Sequence, residues 1–121
     1  MIIAYWIVAG LLALVFLATG SMKIARPKDA LASSGMTYVE DFGSAQVKLI
    51  GTAEVLGAIG LILPKLLDIL PVVGPVAAIG LVILMIGAIA THVRRHEQFV
   101  PPLALAVLAA AAAVLGFLTL A

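Results

Sequence analysis

From Ile2 to Met22 the chain carries no charged side chain, and three more runs of the same apolar character follow it. A span of about 20 such residues, rising ~1.5 Å each, crosses the ~30 Å hydrocarbon core of a bilayer. The 121 residues are 64% hydrophobic and 11% charged. A soluble domain of this size buries only about 60–70% of the surface its unfolded chain exposes, so the surplus Leu, Ile, Val and Ala would face water. Lipid is the solvent that fits, and the reading is an all-α integral membrane protein, a four-helix bundle of antiparallel up-down topology, forming one transmembrane domain over residues 1–121.

The expected spans are 2–22, 47–64, 75–93 and 103–121. The first reads as a retained helix rather than a signal peptide, because no positive segment precedes it and it exceeds the roughly 7–15 residues of a signal's apolar region. The second, apolar between Lys48 and Lys65 except for Glu54, should stop at Pro64, which lacks an N–H and clashes with the preceding turn. Thr37-x-x-Glu40 has capping-box spacing, so that helix is allowed to begin near Tyr38 and weaken at Gly43. Pro75 suits the first turn of the third span, and Arg94-Arg95 mark its polar end. The run Ala109 to Ala113 is slim enough for close helix approach. Between the first two spans, Arg26-Pro27-Lys28-Asp29 reads either as the start of a short interfacial helix ending before Gly35 or as a plain loop.

Net charge is only +1 and dispersed, which excludes a nucleic-acid footprint. The absence of cysteine excludes disulfides, thiol chemistry and Cys-ligated zinc or iron–sulfur centres. Lys23, Arg26, Lys28, Lys48, Arg94 and Arg95 fall in or beside the first and third loops, and Lys65 alone beside the second. Because cytoplasmic loops retain Lys and Arg, loops 23–47 and 94–102 are expected in the cytoplasm and both termini outside.

Glu54 is the leading candidate site residue. An ionised carboxylate at a helix centre costs about 2.5–3.5 kcal/mol on insertion scales unless it is paired, protonated or wetted. Gly51, Gly57 and Ala58 share its face at i−3, i+3 and i+4, a slim stripe suited to a bundle interior. Lys23, Thr91, His92, Arg94 and Arg95 lie at the same end of the bundle and are its candidate partners. Three readings stay open: a buried pair that sets helix register, a ligand or proton site, and a lipid-exposed carboxyl group. His92 and His96 are spaced i, i+4, but with two arginines between them they read as interfacial histidines, and no metal site is assigned. Tyr5 and Trp6 at one end, with Tyr38, Phe42 and Phe99 at the other, read as interfacial anchors. Nucleotide-binding, serine-hydrolase and zinc-protease motifs are absent.

Three segments carry a resemblance. They are Gly20-Ser21-Met22-Lys23-Ile24; Lys48-Leu49-Ile50-Gly51-Thr52-Ala53-Glu54 with Gly57-Ala58-Ile59-Gly60-Leu61-Ile62-Leu63-Pro64; and Met85-Ile86-Gly87-Ala88 with Thr91-His92-Val93-Arg94-Arg95. Over nearly its whole length the chain resembles the DoxX-like proteins, small bacterial four-helix membrane proteins. The resemblance implies residence in the bacterial inner membrane and quinone-linked or redox-accessory work. Some relatives are described as subunits of terminal quinol oxidase or thiosulfate:quinone oxidoreductase and others as membrane partners in oxidative-stress assemblies. The motif residues carried over are Lys23, Gly51, Glu54 and His92. The leading expectation is an accessory or interaction subunit with membrane-protein partners or a second copy of itself, offering a quinone- or lipid-sized pocket near Glu54. The alternative is a small enzyme acting on a lipophilic substrate, with Glu54 as acid or base and Lys23, His92 or Arg95 polarising an oxygen. Solute transport ranks below both, because the polar groups crowd one face of the membrane.

Overall fold

Backbone groups in hydrocarbon must bond within their own segment, so the apolar runs become helices. The computed structural model describes residues 1–120; Ala121, the last residue of the expected fourth span, lies outside the described residues. The elements are α1 (Ile2–Ala25), α2 (Lys28–Ser33), a 3-10 helix (Thr37–Asp41), α3 (Ser44–Leu67), α4 (Val73–Arg94) and α5 (Val100–Leu118). Four of them are long and apolar enough to cross a membrane, and no strand occurs among the described residues. α1 packs on α3, α3 on α4, α4 on α5, and α5 back on α1, closing a four-helix bundle.

Its core is built from Tyr5, Leu12, Phe16, Leu61, Leu81 and Met85, with Ala9, Ala58, Ala78, Ala109 and Ala112 filling the slim positions. Side chains as large as Leu14, Leu49, Leu56, Ile83 and Val107 point outward. In water such a surface would aggregate; in a bilayer it is the lipid contact. Small residues decide where the helices touch. A Cβ on Gly20 would lie 2.7 Å from the Gly51 carbonyl oxygen, and one on Gly51 would lie 2.7 Å from the Gly20 oxygen, so the α1–α3 crossing is in effect backbone against backbone. Further along α3, a Cβ on Gly57 would meet the Leu81 side chain at 2.7 Å and one on Gly60 would meet Ala77 at 2.9 Å, which sets the α3–α4 contact near the Pro64 end.

Several boundaries depart from the hydropathy reading. α1 runs on to Ala25, so Lys23 is helical rather than part of the loop. α3 passes through Pro64 to Leu67 instead of stopping there. The extra turn is held by Asp68 in the left-handed region (φ 54°), by the Ile69 N–H donating to the Pro64 carbonyl at 2.9 Å, and by the Lys65 amine donating to the Thr119 hydroxyl at 2.9 Å. Thr37 and Glu40 form no capping box: the 3-10 helix they occupy ends at Asp41, and α3 starts separately at Ser44 with the Gly43 N–H donating to Gln46 Oε1 at 2.8 Å. Pro101 and Pro102 lie inside the first turn of α5, where a missing N–H leaves nothing unsatisfied, so that helix begins at Val100 rather than Leu103. The segment after α1 forms the short helix, α2, with Leu31 buried against Val39 and Val47.

Tyr5 is a further correction. It is wholly buried, and its hydroxyl donates to the Leu61 carbonyl at 2.7 Å across the α1–α3 interface. A ring with an internal hydrogen-bond partner loses its reason to seek the headgroup layer.

Candidate functional site

Glu54 lies ten residues past Ser44 in α3, about 15 Å into the helix, and is 1% exposed. Its carboxylate accepts on both oxygens. Oε1 takes the Lys23 ammonium, which is itself 5% exposed, and Oε2 takes the Thr19 hydroxyl at 2.6 Å. Thr19 and Lys23 stand one turn apart on α1, and the glycine crossing at Gly20 and Gly51 brings that turn against α3. The pairing is therefore a consequence of the small residues beside it, since bulkier ones would hold the two groups apart. The Lys23 ammonium also lies 5.3 Å from the centre of the Tyr38 ring, a cation–π contact.

α3 and α4 meet at Gly57–Leu81 and Gly60–Ala77, whereas toward the opposite end they border a cavity of about 550 Å³. That volume lies within the range of sites for small organic ligands. Its walls are mostly apolar: Phe16, Ile50, Leu84, Met85, Ala88, Pro102 and Leu105, with Met36 and Phe42 of the segment between α1 and α3. Lys23, Glu54, Thr19, Tyr38, Thr91 and His92, with Arg94 and Gln98 at its end, supply the polar part of the lining. The Thr91 hydroxyl donates to the Gly87 carbonyl at 3.0 Å, which leaves its oxygen free to accept. His92 packs against Tyr38 with ring centres 4.9 Å apart, and its Nδ1 sits 3.5 Å from Glu97 Oε1 without a hydrogen bond.

The other expected partners of Glu54 are committed elsewhere. Arg95 pairs with Asp41 at 2.5 Å, with Glu40 at 3.0 Å and with Glu97 at 3.2 Å, and Arg94 lies 3.6 Å from Asp41. Thr37 donates to Glu97 at 2.6 Å. Together these contacts strap the 3-10 helix, which carries Tyr38, to the turn after α4 and so cover the end of the cavity. The Thr37 hydroxyl, with a smaller contribution from Arg95, holds the Glu97 carboxyl below the usual carboxylate range, and Asp41 foremost keeps the Arg95 guanidinium firmly protonated. His92 and His96 share no helical face, because α4 ends at Arg94 and His96 adopts a left-handed backbone (φ 59°). No group of three or more His, Cys, Asp or Glu side chains able to hold a metal ion occurs among the described residues.

The structure thus unites Lys23 with Glu54, places Thr91, His92 and Arg94 around the same cavity, and leaves Arg95 outside it. Thr19 and Tyr38 are the contributors that sequence reasoning passed over. Thr19 carried one usable signal, its i−4 spacing from Lys23, whereas Tyr38 arrives from a loop whose path no periodicity foretells.

Compared with known proteins, the chain matches the model of the DoxX-like family over residues 7–115. No curated protein and no solved structure matches it at a significant level.

Proposed function

Because the chain belongs to the DoxX-like family, and the matched residues 7–115 include every residue lining the cavity, we propose that it serves as an accessory subunit of a membrane redox or envelope assembly and binds a lipophilic molecule of the quinone or lipid class. The observation that carries this reading is the cavity itself: some 550 Å³ of largely apolar space with a buried Lys23–Glu54 pair in its wall. Apolar walls suit a ring or acyl chain. The ammonium protons that Glu54 does not take suit a carbonyl or hydroxyl oxygen, and a desolvated donor of this kind orients a ligand that has few other polar atoms. The chain would lie in the bacterial inner membrane with the Arg95 end of the bundle in the cytoplasm, following the distribution of its basic residues.

The alternative, an enzyme in which Glu54 moves protons on a lipophilic substrate, has less support. Both carboxylate oxygens are already engaged, so proton transfer would first require the Thr19 or Lys23 bond to break.

Mass spectrometry after mild, lipid-preserving extraction tests the proposal on wild type, Ala88→Trp and Glu54→Gln. The expected result is a copurified quinone or lipid in wild type, lost when the indole fills the cavity and reduced when the ion pair is dismantled, with partner proteins retained in all three. Equal ligand content in wild type and Ala88→Trp would remove the cavity from the function.

A further inference from the structure

A second hollow, of about 340 Å³, opens between the end of α1, the start of α2 and the start of α3. It is lined by Arg26, Lys28, Lys48, Ser44 and Val47, with Asp29 as its single acidic residue. Lys23 borders it as well, but its ammonium is committed to Glu54.

The three remaining cations differ from the basic residues elsewhere at this end. Arg94 and Arg95 have carboxylate partners, whereas Arg26, Lys28 and Lys48 have none within ion-pair distance among the described residues. The one bond Lys48 makes is donated to the Ile24 carbonyl at 2.8 Å, which anchors its amine at the hollow and leaves two protons for another acceptor. Ser44 is the first residue of a 24-residue helix, so the positive end of the α3 dipole faces the same space. Three cations, one carboxylate and a helix N-terminus around one cavity leave a net positive site that no ion pair among the described residues neutralises. Its level is also defined: α1 ends at Ala25 and α3 begins at Ser44, so the hollow sits where the apolar spans stop and headgroups begin.

We infer that Arg26, Lys28 and Lys48 form a binding site for a phosphate-ester anion, as carried by the headgroup of an anionic phospholipid. The site is separate from the cavity beside Glu54 and does not depend on what that cavity holds.

The test uses the whole protein in phosphatidylcholine nanodiscs doped with phosphatidylglycerol, with the lipids retained after gentle release counted by native mass spectrometry. Arg26→Gln with Lys28→Gln is the working variant, because neither side chain makes a hydrogen bond that the fold uses; Lys48→Gln is made separately, and Lys65→Gln, at the other end of α3 and outside both cavities, controls for loss of a positive charge. Each cation near an anionic surface contributes about fivefold in affinity, so the double variant should retain phosphatidylglycerol about 25-fold more weakly, with Lys65→Gln at wild-type level. In undoped nanodiscs, inorganic phosphate followed by 31P NMR separates the two sources of the anion. Phosphate bound by wild type and not by the double variant, with no phosphatidylglycerol retained, supports the same site serving a soluble phosphate ester. Equal losses in the double variant and in Lys65→Gln, or retention unchanged in the double variant, would overturn the assignment.

Discussion

Replacing Lys23 by Met removes the cation from a carboxylate that is 1% exposed and leaves Glu54 with the Thr19 hydroxyl as its remaining partner. Breaking one side of a buried pair costs about 3–5 kcal/mol, because the surviving charge is stranded in low dielectric. Lys23→Met should therefore lose about 3–5 kcal/mol. Adding Glu54→Gln removes the charge altogether while keeping an acceptor for Thr19, so Lys23→Met/Glu54→Gln should recover most of the loss at pH 7. Reversible unfolding in mixed micelles, by titration with a denaturing detergent and followed through Trp6 fluorescence, measures all of these quantities. If Lys23→Met is as stable as wild type, or if the double variant is as unstable as the sum of the two singles, the ion pair is not what stabilises this part of the bundle.

The glycine crossing offers a matched contrast. Gly51→Ala places a methyl 2.7 Å from the Gly20 oxygen and from the Lys23 Cβ, and should destabilise by about 1–3 kcal/mol through forced separation of α1 and α3. Gly80→Ala meets nothing within 4 Å and should be neutral or stabilising by up to about 1 kcal/mol, as for any helical Gly to Ala change; the same unfolding assay compares them. The Glu97 carboxyl, held low first by Thr37, contributes to the strap over the cavity above the ordinary carboxylate range, and that contribution is lost as the pH falls through its lowered value. A carboxyl-carbon NMR titration should show Thr37→Val moving the Glu97 midpoint upward; an unmoved midpoint would assign the lowering to Arg95 instead.

The amino-acid sequence by itself determined the solvent, the number of spans and the one carboxylate that needed an explanation, because these follow from composition and length against a fixed bilayer thickness. It also determined the slim stripe around Glu54, since helical spacing alone puts Gly51, Gly57 and Ala58 on its face. Helix ends were less legible. Pro64 and Pro101-Pro102 are breakers or first-turn residues according to what surrounds them, and the Asp68 turn and the Lys65–Thr119 bond that extend α3 join residues far apart in the chain. Only the tertiary structure decided that Lys23 rather than Arg94 or Arg95 meets Glu54. Five groups stood at the correct depth, and depth is all that hydropathy reports; the choice among them is made by rotation about the helix axes, which the backbone contact between Gly20 and Gly51 sets. For the same reason Tyr5 turned inward to Leu61 while an interfacial position was equally open to it by sequence. The cavity arises from α3 and α4 touching at one end, and such an empty space leaves no signature in the residues that border it.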